Sequence, residues 1–313
     1  MTSPSNYTFI GNTRIGNNSI SSNVVESIKY WIDISFLSDG ACDTINKDET
    51  DYSGKNIGAL TPVSDRVYGD GFVYQSYFKN WVWEEEISKE YDFEDIVVCS
   101  GIWIGSDFHS KQASGDLYFS IDYRNGRVVF ENQNAVENAY GASGVNEVVA
   151  EFSYKRVYVV TETELVRSFA ESESMNNPIG SGDNLLNEDK IPLPAIIVSE
   201  NNHSWRGYQL GGGKICSHSI NVDVFSHDDD LGGSIIDILS QQENKKVPSV
   251  DWSLCESSFD WMGDINPAFS GVYDIATIYK WKDMDLLTAN GVKQATGIRT
   301  GFVEFLVDSY PHK

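Results

Sequence analysis

Residues 191–241 read IPLPAIIVSENNHSWRGYQLGGGKICSHSINVDVFSHDDDLGGSIIDILSQ, and this stretch decides the fold. Ile220, Val222 and Val224 alternate with Asn221 and Asp223, the two-residue period of a strand with one apolar and one polar face. After Phe225, the run Ser226, His227, Asp228, Asp229 and Asp230 offers acceptors to the unpaired N–H groups and positive dipole end of a helix start. Leu231, Ile235, Ile238 and Leu239 then recur at i, i+4, i+7 and i+8, one helical stripe able to cover a sheet. Gly232 and Gly233 weaken that helix by roughly 1 kcal/mol each relative to Ala, so packing must hold it. The predicted order is strand, polar Gly-rich connection, strand, amphipathic helix.

The connection carries Gly211, Gly212, Gly213 and Lys214, but it is no phosphate cradle. A P-loop needs Ser or Thr after the Lys and a helix at once, whereas Ile215 and a strand follow here. The expected loop from His203 to Gly213 instead combines Trp205, Arg206 and Tyr208 with flexible backbone at Gly211, Gly212 and Gly213. Aromatic and Arg anchors of this kind are typical of protein–protein contacts, so these residues are the candidate interface. A loop folded over its own core is equally compatible with them.

Composition narrows the classes. The 313 residues, 41% hydrophobic and 12% aromatic, suit two folded domains. With 46 acidic against 23 basic residues the formal charge is −23, and no basic cluster exists to neutralise phosphates, so sequence-specific nucleic-acid binding is not expected. An acidic wall could still let DNA slide through a lumen, although solubility alone accounts for the charge. Cys42, Cys99, Cys216 and Cys255 show no metal or disulfide spacing, and reduced thiols are expected. No signal-like or bilayer-spanning apolar run stands out, so the expectation is assembly in a cytoplasm without a membrane partner.

Taken in order, residues 1–22 read as a polar N-terminal arm and residues 23–160 as a β-rich domain with one N-terminal helix. That helix has Val25, Ile28, Ile32 and Phe36 on a stripe with Trp31 and ends near Gly40. Residues 40–70 look like a long loop. Phe72, Tyr74, Tyr77, Phe78, Trp81 and Trp83 form an aromatic run ahead of Glu84, Glu85 and Glu86, suited to packing, subunit contact or sugar stacking. Leu117 to Tyr123 alternates, and Asn125-Gly126 predicts a type I′ hairpin turn. A further strand is predicted from Val148 to Val160, an acidic linker over 161–190, a loop over 247–262, and two last strands over 272–281 and 301–308.

No catalytic constellation emerges: there is no G-x-S-x-G or H-E-x-x-H motif, and abundant carboxylates single out no pair. His218 and His227 are an odd number apart, so on a regular strand they face opposite ways, and they read as surface histidines beside a helix cap. Catalytic residues, cofactor and metal ligands are accordingly expected to be none.

Pro194-Ala195-Ile196-Ile197-Val198, Tyr208-Gln209-Leu210 with its three glycines, the strand ending in Phe225, and the Asp-rich start of the helix to Gln241 together resemble tail-terminator and tail-completion proteins of tailed bacteriophages. The likeness covers residues 191–313; a weaker one, to neck-region structural proteins of marine phages, covers about residues 70–160 on IDYRNGRVVF and EFSYKRVYVV. The resemblance implies an α+β protein in which a strand-rich N-terminal domain precedes a small α+β sandwich domain, a sheet with a packed helix, over 191–313. It also implies a non-enzymatic virion structural protein at the neck: a homo-oligomeric, hexameric ring that ends the tail tube and meets the tail tube and neck or adaptor proteins. The alternative is a carbohydrate-binding or sugar-cleaving virion protein using the aromatic run.

Overall fold

A computed structural model describes residues 20–65, 69–83, 96–111, 117–141, 147–162, 192–207, 214–250, 269–286, 288–289, 292–293 and 298–309. The arm up to residue 19, Glu84 to Glu86, most of the linker, and residues 251–268 lie outside them. The first described elements are α1 (Ile20–Ser38), β1 (Cys42–Ile45), β2 (Ala59–Asp65), β3 (Gly69–Gln75), β4 (Gly101–Ile104), β5 (Asp107–Ser110), β6 (Phe119–Asp122), β7 (Arg127–Phe130) and the short α2 (Ala135–Tyr140). They are followed by β8 (Val148–Ala150), β9 (Phe152–Lys155), β10 (Tyr158–Thr161), β11 (Ala195–Gly207) and β12 (Lys214–Ser226). The last are α3 (Asp229–Ser240), β13 (Lys246–Val250), β14 (Phe269–Leu286), β15 (Thr288–Ala289), β16 (Val292–Lys293) and β17 (Arg299–Ser309).

Two curled sheets carry the architecture. A seven-stranded sheet runs β5-β4-β8-β2-β3-β7-β6, and a six-stranded sheet runs β10-β11-β12-β17-β14-β13. With 52% strand against 19% helix among the described residues and both sheets curled toward half-barrels, the protein is mostly β, which corrects the α+β class and its sandwich domain. The physical reason is strand length. β11, β12 and β14 span 13, 13 and 18 residues where sequence patterning supported shorter strands, and the supposed loop over 40–70 contains β1 and β2.

The core follows from alternation. Ile220, Val222 and Val224 are fully buried on one face of β12 beside Val303, Phe305 and Val307 of β17. Full burial of each such side chain is worth about 1.5–3 kcal/mol, enough to specify the register against a one-residue slip. α3 begins as read: Asp228 caps it, its Oδ1 accepting from Asp230 N at 2.9 Å and Leu231 N at 3.3 Å. Its buried face, however, is Gly232, Ile235, Ile236 and Leu239, while Leu231 and Ile238 are exposed. The sequence stripe is thus rotated by about one residue toward Ile236.

α1 lies between two cores. Val24, Ile28, Ile32 and Phe36 pack with the six-stranded sheet, while Tyr30 belongs to the core of the seven-stranded sheet. The helix stops at Gly40, whose positive φ of 80° closes a Schellman motif, Gly40 N donating to Leu37 O and Ala41 N to Phe36 O. The single strand predicted from Val148 to Val160 is three: β8 joins the seven-stranded sheet, β9 pairs with β1, and β10 pairs in parallel with β11. The hairpin β6–β7 forms, but its connection is Tyr123 to Gly126 with positive φ only at Gly126, not a type I′ pair. A Cβ at Gly126 would stand 2.2 Å from Phe78 O, so glycine is required there on two counts.

Asp33 of α1 and Lys155 of β9 form an ion pair at 2.7 Å with side chains only 7% and 8% exposed. Asp33→Ala should cost about 3–5 kcal/mol because it removes the 2.7 Å carboxylate partner of a buried ammonium, whereas the joint change Asp33→Leu with Lys155→Met should cost far less. Urea unfolding followed by tryptophan fluorescence distinguishes the two outcomes, and equal losses in both variants would rule out the buried charge as the cause.

Candidate functional site

The site is built by one irregularity. β11 pairs antiparallel with β12 from Ala195 opposite Phe225 to Gly207 opposite Lys214, with a register shift between Glu200 and Asn202. Side chains three apart on a regular strand point to opposite faces. The bulge at Asn201 inserts one residue, so Glu200, opposite Ile220, and His203, opposite His218, share a face. That face is the continuation of the core. It runs from Val224, Val222 and Ile220 into His218 and Cys216 on β12, and from Val307 into Ser309 on β17.

His218 is fully buried, so both its ring nitrogens need partners. Nδ1 lies 2.7 Å from Glu200 Oε1, and Nε2 lies 3.0 Å from Ser309 Oγ. Ser309 Oγ donates its own hydrogen to Cys216 O at 3.3 Å. The exposed His203 brings Nδ1 to 3.4 Å from the same Glu200 oxygen, its ring centroid 5.8 Å from that of His218. The donor atoms of Glu200, His203 and His218 all lie within 4.8 Å of one another, a set able to hold a metal ion. Burial and the Glu200 charge push the neighbouring Cys216 thiol up, which keeps it protonated and unreactive.

The reverse face of the same strands is also polar. Arg206 and Ser217 both bond Asp308, and Ser219 bonds Glu304. Burial, with a smaller contribution from Glu162, raises the Asp223 carboxyl on this face.

Of the predicted interface residues, Trp205 and Arg206 stand on β11 rather than on a loop, and being adjacent they face opposite sides. Trp205 is 47% exposed, while Arg206 is engaged with Asp308. Tyr208, Gly211, Gly212 and Gly213 lie outside the described residues. His227 is exposed just beyond β12 and does not meet His218, which is itself buried rather than on the surface. The histidine that His218 meets is His203, on the opposing strand beside Glu200, and not His227. A signal existed: a hairpin closing between Gly207 and Lys214 sets His203 directly opposite His218. In the aromatic run Tyr74, Trp81 and Trp83 are buried in the first core, and Trp81 stacks on Phe152 at 4.1 Å.

No protein-family model matches this chain, and no curated protein matches it. Among the described residues no helix is long and apolar enough to cross a membrane.

Ser309→Ala would leave His218 Nε2 and the Cys216 carbonyl without the buried hydroxyl that meets both. Thermal and urea unfolding should show a loss of about 1–3 kcal/mol. A change within error would mean that water replaces the hydroxyl.

Proposed function

We propose that this chain works by association: it is a structural assembly protein, with the neck or head-proximal tail of a phage virion as the setting its sequence resemblance implies. One observation carries the reading. β10 pairs with β11 only from Ala195 to Val198, and from there to Gly207 the outer edge of β11 has no strand partner among the described residues. All seven residues from Asn201 to Gly207 are exposed, Trp205 included. An open edge offers a row of N–H and C=O groups to an added strand, and a half-exposed Trp supplies the aromatic anchor such contacts favour.

Copies of the chain joined edge to partner strand around an axis would form the expected ring, without any need for a separate α+β domain. The charge of −23 fits a surface that DNA passes without adhering. The sugar-stacking alternative draws less support, because Tyr74, Trp81 and Trp83 are buried and Tyr77 is the exposed ring of the run.

Mass photometry and negative-stain microscopy of the purified chain test this. The expected result is a closed oligomer, with Trp205→Ala weakening association at least tenfold, as loss of an aromatic hot spot of about 2 kcal/mol would. Trp205→Ala should still melt close to the parent. A chain that stays monomeric at every concentration, or an oligomer indifferent to Trp205→Ala, overturns the proposal.

A further inference from the structure

We infer that Glu200, His203 and His218 bind one divalent transition-metal ion of the zinc class. The hydrogen-bond logic of the buried histidine leads there. The Ser309 hydroxyl lies 3.0 Å from Nε2 and 3.3 Å from the Cys216 carbonyl; bonding the carbonyl, it accepts from an Nε2–H and leaves the Nδ1 lone pair available as a ligand. In that tautomer the Nδ1 lone pair faces a carboxylate oxygen 2.7 Å away, whereas in the other Nδ1–H donates to it. What stands between the two atoms is either a proton carried on Nδ1 or a metal ion.

Three features favour the ion. The first is the donor set: two imidazoles and one carboxylate are a common zinc set, and a third ligand stands where a shared proton would need none. The second is spacing. Tetrahedral bonds of about 2.0–2.2 Å hold ligand atoms roughly 3.3 Å apart. His203 Nδ1 already lies 3.4 Å from Glu200 Oε1, the 2.7 Å contact of His218 must open by about half an ångström, and the ligand atoms of the three residues stand within 4.8 Å of one another. The third is support and access. His218 is oriented from behind by Ser309, the arrangement that commonly fixes a metal-binding tautomer. Side-chain exposure rises from 0% at His218 to 16% at Glu200 and 46% at His203, so an ion can enter from the His203 side, where a fourth ligand position faces solvent.

The ion would join the two halves of the β11–β12 hairpin across the bulge, just inside the open edge. This inference stands apart from assembly, since a monomer has all three ligands.

The test uses the full chain, stripped with EDTA and dialysed. Zinc titration by calorimetry should give one tight site per chain and a higher melting temperature, and cobalt should give the visible absorption of a low-symmetry, near-tetrahedral complex. Magnesium and calcium, which prefer oxygen ligands, should not compete. His203→Ala is the informative variant because that side chain is half outside the fold, and it and Glu200→Gln should each weaken zinc binding at least tenfold. Diffuse binding that both variants leave unchanged would be attraction to an acidic surface only, and would overturn the proposal. So would the absence of stoichiometric binding, leaving a proton between His218 and Glu200.

Discussion

The antiparallel register of β11 on β12 is the constraint on which the remainder of the molecule rests. It sets Ile196 and Val198 beside Val224 and Val222, and β17 continues that row with Val303, Phe305 and Val307. Sliding β12 by one residue would turn Asn221 and Asp223 inward, exchanging apolar burial for desolvated polar groups without partners. The bulge at Asn201 relaxes the rule at one point only. Because it falls after the last buried apolar residue of β11, the core is untouched and a polar cluster is gathered on the same face.

The two sheets are knit by short elements placed where the chain crosses from one to the other. α1 buries one stripe in the second core and Tyr30 in the first, and residues 148–161 change sheet at each of two breaks. Asn80 reaches across to Val157 O at 3.3 Å, and Asp33 meets Lys155 nearby. Polar groups at this crossing are costly to bury unless paired, so their pairing ties the relative positions of α1 and β9 to the stability of both cores.

At the far end of the six-stranded sheet the same economy of pairing has a different result. Arg206, Ser217 and Asp308 close one face, and Glu200, His218 and Ser309 close the other, so the β11–β12 hairpin is stiffened on both sides up to Trp205. A stiff exposed edge loses little conformational freedom when another strand docks, which suits a contact surface better than a loose loop would.

How far the sequence reached can be argued residue by residue. Alternation determined the core face of β12, the aspartates at 228–230 determined where α3 starts, and Gly40 and Gly126 determined two chain reversals, whereas β17, with apolar residues on both faces, took its core face from its pairing with β12. The class of fold and the candidate site were decided elsewhere. Strand lengths depend on which neighbour a segment finds, the helical stripe of α3 rotated to meet its sheet, and Glu200 joined His203 and His218 through a bulge. A period of two or 3.6 residues is written along the chain, whereas a bulge and a strand partner exist only once two distant segments are paired, and no local pattern encodes them.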